Sequence, residues 1–305
     1  MKELVVISGK GGTGKTSVVA CFAALAQNKV LADCDVDAPD LHLVLAPEVL
    51  HRQSFSGGKR ARIGQKLCTA CGLCEELCRF DAVIHEEAEG DGESELYWID
   101  PIACEGCGVC AYFCPEEAIA LEDVVNGEWF VSETRHGPMV HARLGIAEEN
   151  SGKLVSLVRK QARRLAKEKL SELIIIDGSP GIGCPVIASI TGADLVLVVT
   201  EPTLSGLHDL ERVAQLTSHF GIPTMVCINK YDLNPELADR IEAMAGERGI
   251  LVAGRIRYDA AVTKAQVAGK AVVECAESPV VDDVRAVWKC VFAELREQMP
   301  PAETL

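Results

Sequence analysis

The sequence predicts an α/β fold in which a mostly parallel sheet has helices on both faces and a smaller α+β domain is inserted. Three observations favour this fold. Short apolar runs alternate with helical segments, a glycine-rich loop directly follows the first apolar run, and a cysteine-rich segment interrupts the alternation. Alternation at this spacing implies parallel strands joined by right-handed crossovers. With 305 residues, 48% of them apolar, the chain can form one large domain and a small one.

The first predicted strand, residues 4–8, leads into the loop GKGGTGKT at residues 9–16. This loop fits the phosphate-binding pattern GxxxxGK(S/T), and a helix is predicted over residues 14–27. Glycines let successive backbone N–H groups converge on an anion, and the helix adds its positive N-terminal end. We expect Lys15 to contact the terminal phosphates and Thr16 to hold Mg²⁺. The residues predicted to bind the nucleoside triphosphate are Gly11, Gly12, Thr13, Gly14, Lys15 and Thr16.

Carboxylates follow two other predicted strands. The strand at residues 30–32 ends on Asp33 and Asp35, and the apolar run 173–176 ends on Asp177, followed by a Gly- and Pro-rich loop. Sheets of this class place their chemistry just past the carboxyl ends of the strands. The alternative is that Asp33 and Asp35 cap a helix in a turn.

With its early second lysine, Lys10, the loop resembles the deviant phosphate loop of the MinD, ParA, Mrp and nitrogenase iron protein superfamily. The resemblance implies that Lys10 reaches the nucleotide of a partner subunit, so that ATP joins two copies as a homodimer. It further implies that Asp35 orients the attacking water, that Asp177 binds Mg²⁺ through water, and that Asn229 contacts the adenine. The residues predicted to be catalytic are thus Lys10, Lys15, Asp35 and Asp177.

The rest of the chain continues the alternation. We predict strands at residues 128–133, 139–144, 195–200, 224–228 and 251–256. Helices are predicted at residues 151–169, 205–220 and 235–246, followed by two closing helices. Earlier in the chain, the segment Gly57–Arg60 is predicted to be a turn at the start of the cysteine-rich part.

Eight of the 14 cysteines form two runs with the spacing C-x2-C-x2-C-x3-C. Zinc is the alternative occupant, but zinc sites usually separate their ligands into two pairs. This repeat resembles the bacterial two-cluster ferredoxin, in which the fourth cysteine of each run binds the other 4Fe-4S cluster. The resemblance implies one cluster held by Cys68, Cys71, Cys74 and Cys114. It implies a second cluster held by Cys104, Cys107, Cys110 and Cys78. Arg79 departs from the family, which has proline there.

The domains are therefore predicted as an ATPase domain, residues 1–57 and 125–305, and an inserted two-cluster ferredoxin domain, residues 58–124. The predicted function is that of an ATP-hydrolysing iron–sulfur protein that couples nucleotide-driven changes to electron transfer with a redox partner. The alternative is an ATP-dependent cluster carrier of the Mrp type, which delivers a metallocofactor. Such carriers use a C-x-x-C pair in the C-terminal half, and Cys275 and Cys290 do not form one.

Two features of composition bear on partners and location. The net charge of -15, without a basic stripe, disfavours nucleic acid. No apolar run approaches the roughly 18 residues that a membrane helix needs, and the N-terminus enters a strand without a signal-type segment. We therefore expect a cytoplasmic protein that binds neither nucleic acid nor membrane.

Cys184, seven residues after Asp177, matches a cluster-ligand position of the nitrogenase iron protein, although a buried small residue at a helix start is the commoner explanation.

Overall fold

The structure is a computed structural model that describes residues 1–86, 96–145, 151–275 and 277–297. Its strands are β1 (Lys2–Ser8), β2 (Lys29–Asp33), β3 (Glu48–Ile63), β4 (Val83–Glu86), β5 (Leu96–Ile99), β6 (Ile119–Thr134), β7 (Gly137–Leu144), β8 (Leu173–Pro180), β9 (Leu195–Thr200), β10 (Thr224–Asn229) and β11 (Leu251–Ile256). Its α-helices are α1 (Lys15–Leu25), α2 (Leu41–Leu45), α3 (Leu73–Leu77), α4 (Val109–Phe113), α5 (Ser151–Glu168), α6 (Cys184–Ile190), α7 (Leu204–His219), α8 (Pro235–Glu247), α9 (Ala260–Val267) and α10 (Pro279–Glu297).

The described residues divide into two compact units. Unit 1 contains residues 1–53 and 128–143 together with the described residues from 151 onward; unit 2 contains the described residues of 54–127 together with 144–145. The predicted insertion, residues 58–124, falls within the range of unit 2. Its assignment as a ferredoxin domain stays a prediction.

The main sheet has the strand order β11-β10-β9-β1-β8-β2-β7-β6-β3 among the described residues. From β11 to β7 in this order, each pair of adjacent strands runs parallel. β1, β8 and β9 are almost fully buried, because apolar residues follow one another in these strands instead of alternating with polar ones. The predicted α/β fold with a mostly parallel sheet is confirmed.

This topology brings the carboxyl ends of several strands to one edge of the sheet. The strand registers place Asp33 of β2 opposite Asp177 of β8, and Val6 of β1 opposite Asp177. The glycine-rich loop follows β1 at the same edge. The sheet therefore gathers the predicted phosphate loop and the predicted carboxylates, although their positions in the sequence are far apart.

One local prediction is wrong. Gly57–Arg60 lies inside β3, a strand of 16 residues, and does not form a turn. The side chain of Asn126 explains how two glycines persist in a strand, because its Oδ1 accepts hydrogen bonds from the N–H groups of Gly57 and Gly58, each at 2.9 Å. This contact compensates locally for two residues that have no side chains to pack.

Unit 2 has a small core of its own. β4 and β5 pair antiparallel, with Val83 opposite Ile99. The buried residues of this core are Ala61, Ile63, Val83, Tyr97 and Ile119, and six of the predicted cluster cysteines pack against them. In the described part of the chain, no helix is long and apolar enough to cross a membrane.

Candidate nucleotide site and cysteine cavities

The glycine-rich loop connects β1 to α1, and two of its residues need glycine. Gly12 and Gly14 have φ angles of +79° and +89°, a region that strains residues with a side chain. Asn229, at the end of β10, fixes the loop: its Nδ2 donates to the carbonyl oxygen of Thr13 at 2.7 Å. The next residue, Lys230, donates from Nζ to the carbonyl oxygen of Gly12 at 3.2 Å. The loop is thus held in shape by Asn229, the residue predicted to contact the adenine, and by Lys230, which follows β10.

The contact between Asn229 and the loop predicts the effect of a substitution at Gly14. A Cβ at Gly14 would lie 2.3 Å from Asn229 Nδ2, on a backbone that already disfavours side chains. We expect Gly14→Ala to lower the free energy of unfolding by about 2 kcal/mol or more and to weaken ATP binding. Gly11→Ala is the matched control for stability, because a Cβ at Gly11 meets nothing within 4 Å. Urea unfolding of both variants without nucleotide tests this, and equal losses would contradict it.

Lys15 is buried at the start of α1 among carboxylates. Its Nζ lies 2.5 Å from Asp177 Oδ1 and 3.3 Å from Asp35 Oδ2. Burial acts to lower the pKa of Lys15, but the charges of Asp177 and Asp35 outweigh it, so the pKa is raised and the ammonium form is favoured. Burial raises the pKa of Asp33 well above its usual value, and the charge of Asp177 adds to the effect. The structure therefore brings together three of the four residues predicted to be catalytic, with Asp33 beside them.

Three oxygen atoms at or near this cluster have unmet hydrogen-bonding capacity. Asp33 Oδ2, Asp177 Oδ2 and Thr13 Oγ1 are buried and have no hydrogen-bond partner among the described residues. Thr16, the residue predicted to hold Mg²⁺, lines the adjoining cavity. A buried carboxylate oxygen and a hydroxyl are the hard oxygen donors that Mg²⁺ or its bound water prefers. The residues present therefore fit Mg²⁺ held by Thr16 and, through water, by Asp177.

A cavity of about 470 Å³ adjoins the loop, within the range of volumes typical of ligand pockets. Its lining includes the predicted residues Gly11, Gly12, Gly14, Lys15, Thr16, Asp35 and Asn229. It also includes Arg257, Tyr258 and Asp259, which the sequence analysis missed. Asp232 holds this segment, because its Oδ1 accepts from the Tyr258 N–H at 2.6 Å. A Tyr-Asp pair after the last strand was the only signal in the sequence. The contact of Asn229 with the adenine stays a prediction.

Lys10 does not approach the other catalytic candidates. Its Nζ lies 2.8 Å from Glu201 Oε1 and donates to Ser205 Oγ at 2.9 Å. Both partners belong to the same subunit and lie near the start of α7. The predicted role of Lys10 in a partner subunit therefore requires this side chain to leave its present contacts.

The predicted cluster ligands separate into two groups in unit 2. One cavity is lined by Cys68, Cys71, Cys74 and Cys114. The other is lined by Cys78, Cys104, Cys107 and Cys110. In each group the fourth cysteine comes from the other sequence run, which is the crossed arrangement that the ferredoxin resemblance implies. Among the described residues, no three potential ligands converge as they would on a single metal ion.

Two of these thiols accept hydrogen bonds from backbone N–H groups. Cys78 Sγ accepts a hydrogen bond from the Ala82 N–H at 3.4 Å, and Cys114 Sγ accepts one from the Ala118 N–H at 3.3 Å. Such N–H···S bonds stabilise a thiolate and tune a cluster's reduction potential. Burial raises the pKa of the Cys110 thiol, and further increases come from Cys104, Cys107 and Cys78. These three are the other cysteines that line its cavity, and four cysteines are the ligand set of one 4Fe-4S cluster.

Cys184 begins α6 and is exposed. The alternative explanation for Cys184 was a buried small residue at a helix start. The helix start is confirmed, and the predicted burial is wrong.

The site and fold define a P-loop nucleotide-binding protein. The family model described as the CobQ/CobB/MinD/ParA nucleotide binding domain matches residues 4–272. The chain belongs to this family, and it is a nucleotide-binding ATPase.

Individual relatives agree with this placement. An uncharacterised protein of Methanocaldococcus jannaschii, MJ0578, is 35% identical over 76% of this chain and 79% of its own. A second from the same organism, MJ0579, is 26% identical over 77% of this chain and 83% of its own. Among solved structures, the septum site-determining protein MinD of Pyrococcus horikoshii, complexed with Mg-ADP, superimposes with a TM-score of 0.58 at 16% identity, covering 98% of this chain and 99% of that one. The cell division ATPase MinD of Pyrococcus furiosus gives 0.55 at 16% identity, covering 96% and 98%. At such identities the likeness shows the fold.

Proposed function

We propose that this chain is an ATP-hydrolysing iron–sulfur protein that couples an ATP-dependent homodimer to electron transfer through two 4Fe-4S clusters. The observation that carries the proposal is the separation of eight cysteines into two cavities, each lined by one complete predicted ligand set. A two-pair zinc pattern would not require the fourth cysteine of each run to cross to the other group.

The residues of unit 1 account for the ATPase part. The phosphate loop binds the triphosphate through its backbone N–H groups, and Lys15 offsets charge on the terminal phosphates. Thr16 and, through water, Asp177 would hold Mg²⁺, which would supply further positive charge at the phosphates. Asp35 lies beside Lys15 and orients the water that attacks the γ-phosphate. Lys10 of a second subunit adds positive charge at the same phosphates, so hydrolysis and dimer formation depend on each other.

The residues of unit 2 account for the redox part. When bound, each cluster accepts and releases one electron at a time. Cys78 and Cys114 would each be a cluster ligand, and each sulfur accepts a hydrogen bond from a backbone N–H group, which would stabilise its thiolate. Eight ligands for two clusters favour clusters that stay bound and transfer electrons over delivery of a cluster to another protein. The partner is therefore a redox protein. The Gly- and Pro-rich loop after β8 changes with the state of the nucleotide, so that this partner is bound differently before and after hydrolysis.

Metal content tests the proposal directly. Protein purified without oxygen and supplied with iron and sulfide is expected to contain about eight iron and eight sulfide per chain. Reduction is expected to give the electron paramagnetic resonance signals of two reduced 4Fe-4S clusters. Zinc in place of iron after purification from iron-supplemented cells, or a protein that takes up no sulfide, would contradict it.

A further inference from the structure

Glu201 lies between two lysines of the nucleotide site. Its Oε1 is 2.8 Å from Nζ of Lys10, and its Oε2 is 3.3 Å from Nζ of Lys230. The Glu201 side chain is only 18% exposed, so solvent screens these contacts less than it would on an open surface. The two lysines also lower the pKa of Glu201 against the opposing effect of burial, which keeps it ionised.

The same carboxylate links the phosphate loop to the start of α7. Lys230 contacts the carbonyl oxygen of Gly12 as well as Glu201. On the other side, Lys10 is held by Glu201, by Ser205 Oγ at 2.9 Å and by Thr203 Oγ1 at 3.3 Å. A nucleotide bound at the phosphate loop therefore lies next to a series of charged contacts that runs from Lys230 through Glu201 to Lys10.

From these contacts we propose that Glu201 is a positioning residue that retains Lys10 in its own subunit until two nucleotide-bound subunits associate. The triphosphates bring negative charge that competes with Glu201 for both lysines. Lys10 then exchanges one carboxylate for the phosphates of the partner's nucleotide, and the pairing with Glu201 opposes premature association of two nucleotide-free subunits. The inference rests on the ATP-dependent homodimer of the proposed function.

Dimer formation measures this competition. We expect Glu201→Gln to lower the dimer dissociation constant roughly five- to twentyfold at saturating non-hydrolysable ATP analogue, because one retaining ion pair of modest strength is lost in each of two subunits. Sedimentation velocity over a series of protein concentrations gives this constant. Glu211→Gln is the matched control on α7, since Glu211 pairs with Arg248 at 3.1 Å and takes no part in the lysine network. It is expected to match the unsubstituted protein.

A second comparison separates this role from a general structural one. In a chain that already carries Lys10→Ala, adding Glu201→Gln is expected not to tighten the dimer, because there is no lysine left to release. Tightening or restored association in the double variant would overturn the proposal, as would an unchanged or weaker dimer in the single Glu201→Gln variant. If the unsubstituted protein forms no dimer with the analogue, the homodimer of the proposed function fails and this inference fails with it. If that dimer forms and Glu201→Gln leaves it unchanged, only this inference fails.

Discussion

Asp35→Asn is expected to lower the rate of ATP hydrolysis by about 10²- to 10³-fold while ATP still binds. Asp35 lies 3.3 Å from Lys15 Nζ and lines the cavity beside the phosphate loop. Asparagine keeps the size of the side chain but loses the negative charge and the basic oxygen that orient the water. Hydrolysis under single-turnover conditions, compared with the dissociation constant for ATP, separates the chemical step from binding.

Asp282→Asn is a suitable control for the loss of one negative charge, because the Asp282 side chain is 80% exposed on α10. It is expected to hydrolyse ATP at the unsubstituted rate. If Asp35→Asn retained full hydrolysis, the water would have to be oriented by another carboxylate, and Asp177 would be the next candidate, since its Oδ2 has no hydrogen-bond partner among the described residues.

Single cysteine substitutions are expected to remove one cluster at a time in a crossed pattern. Cys78→Ser should disturb the same cluster as Cys110→Ser, although Cys78 belongs to the first sequence run. Cys114→Ser should likewise disturb the same cluster as Cys74→Ser. The reason is that each of these pairs lines one cavity. Each variant is expected to lose about half of the iron or to shift one of two spectroscopic signals.

Cys184→Ser provides the control, because Cys184 belongs to neither cavity. It is expected to keep both signals and the full iron content. If Cys78→Ser affected the cluster of Cys68 and Cys71, the two runs would not cross, and the ferredoxin assignment would be wrong. A loss of iron in Cys184→Ser would identify a further ligand outside unit 2.

Sequence reasoning worked best where the physical signal is local. The bounds of β9 and β11 agree with the prediction to the residue, and the first five residues of β9 form an uninterrupted apolar run. The approach of Lys15 to Asp35 and Asp177 also followed from local patterns, since parallel strands carry their ends to one edge. The crossed cysteine groups needed the family resemblance as well.

The errors and omissions involve contacts between residues that are distant in sequence. Gly57–Arg60 resembles a turn in isolation, but it lies in a strand, where the side chain of the distant Asn126 accepts hydrogen bonds from Gly57 and Gly58. The segment at Tyr258 joins the nucleotide cavity because Asp232 binds its backbone, which no window of sequence around Tyr258 contains. The contact of Lys10 with Glu201 spans 191 positions and was missed for the same reason.

The most direct test of ATP-coupled electron transfer is the reduction potential of each cluster with and without a bound ATP analogue. We predict a shift in at least one potential, matched by a difference in nucleotide affinity between the oxidised and reduced protein, because coupling between two sites is reciprocal. A shift of about 60 mV corresponds to a tenfold difference in affinity for a one-electron couple. Potentials that do not respond to nucleotide, together with ATP-dependent transfer of iron to an acceptor protein that lacks it, would contradict electron transfer and favour a cluster carrier.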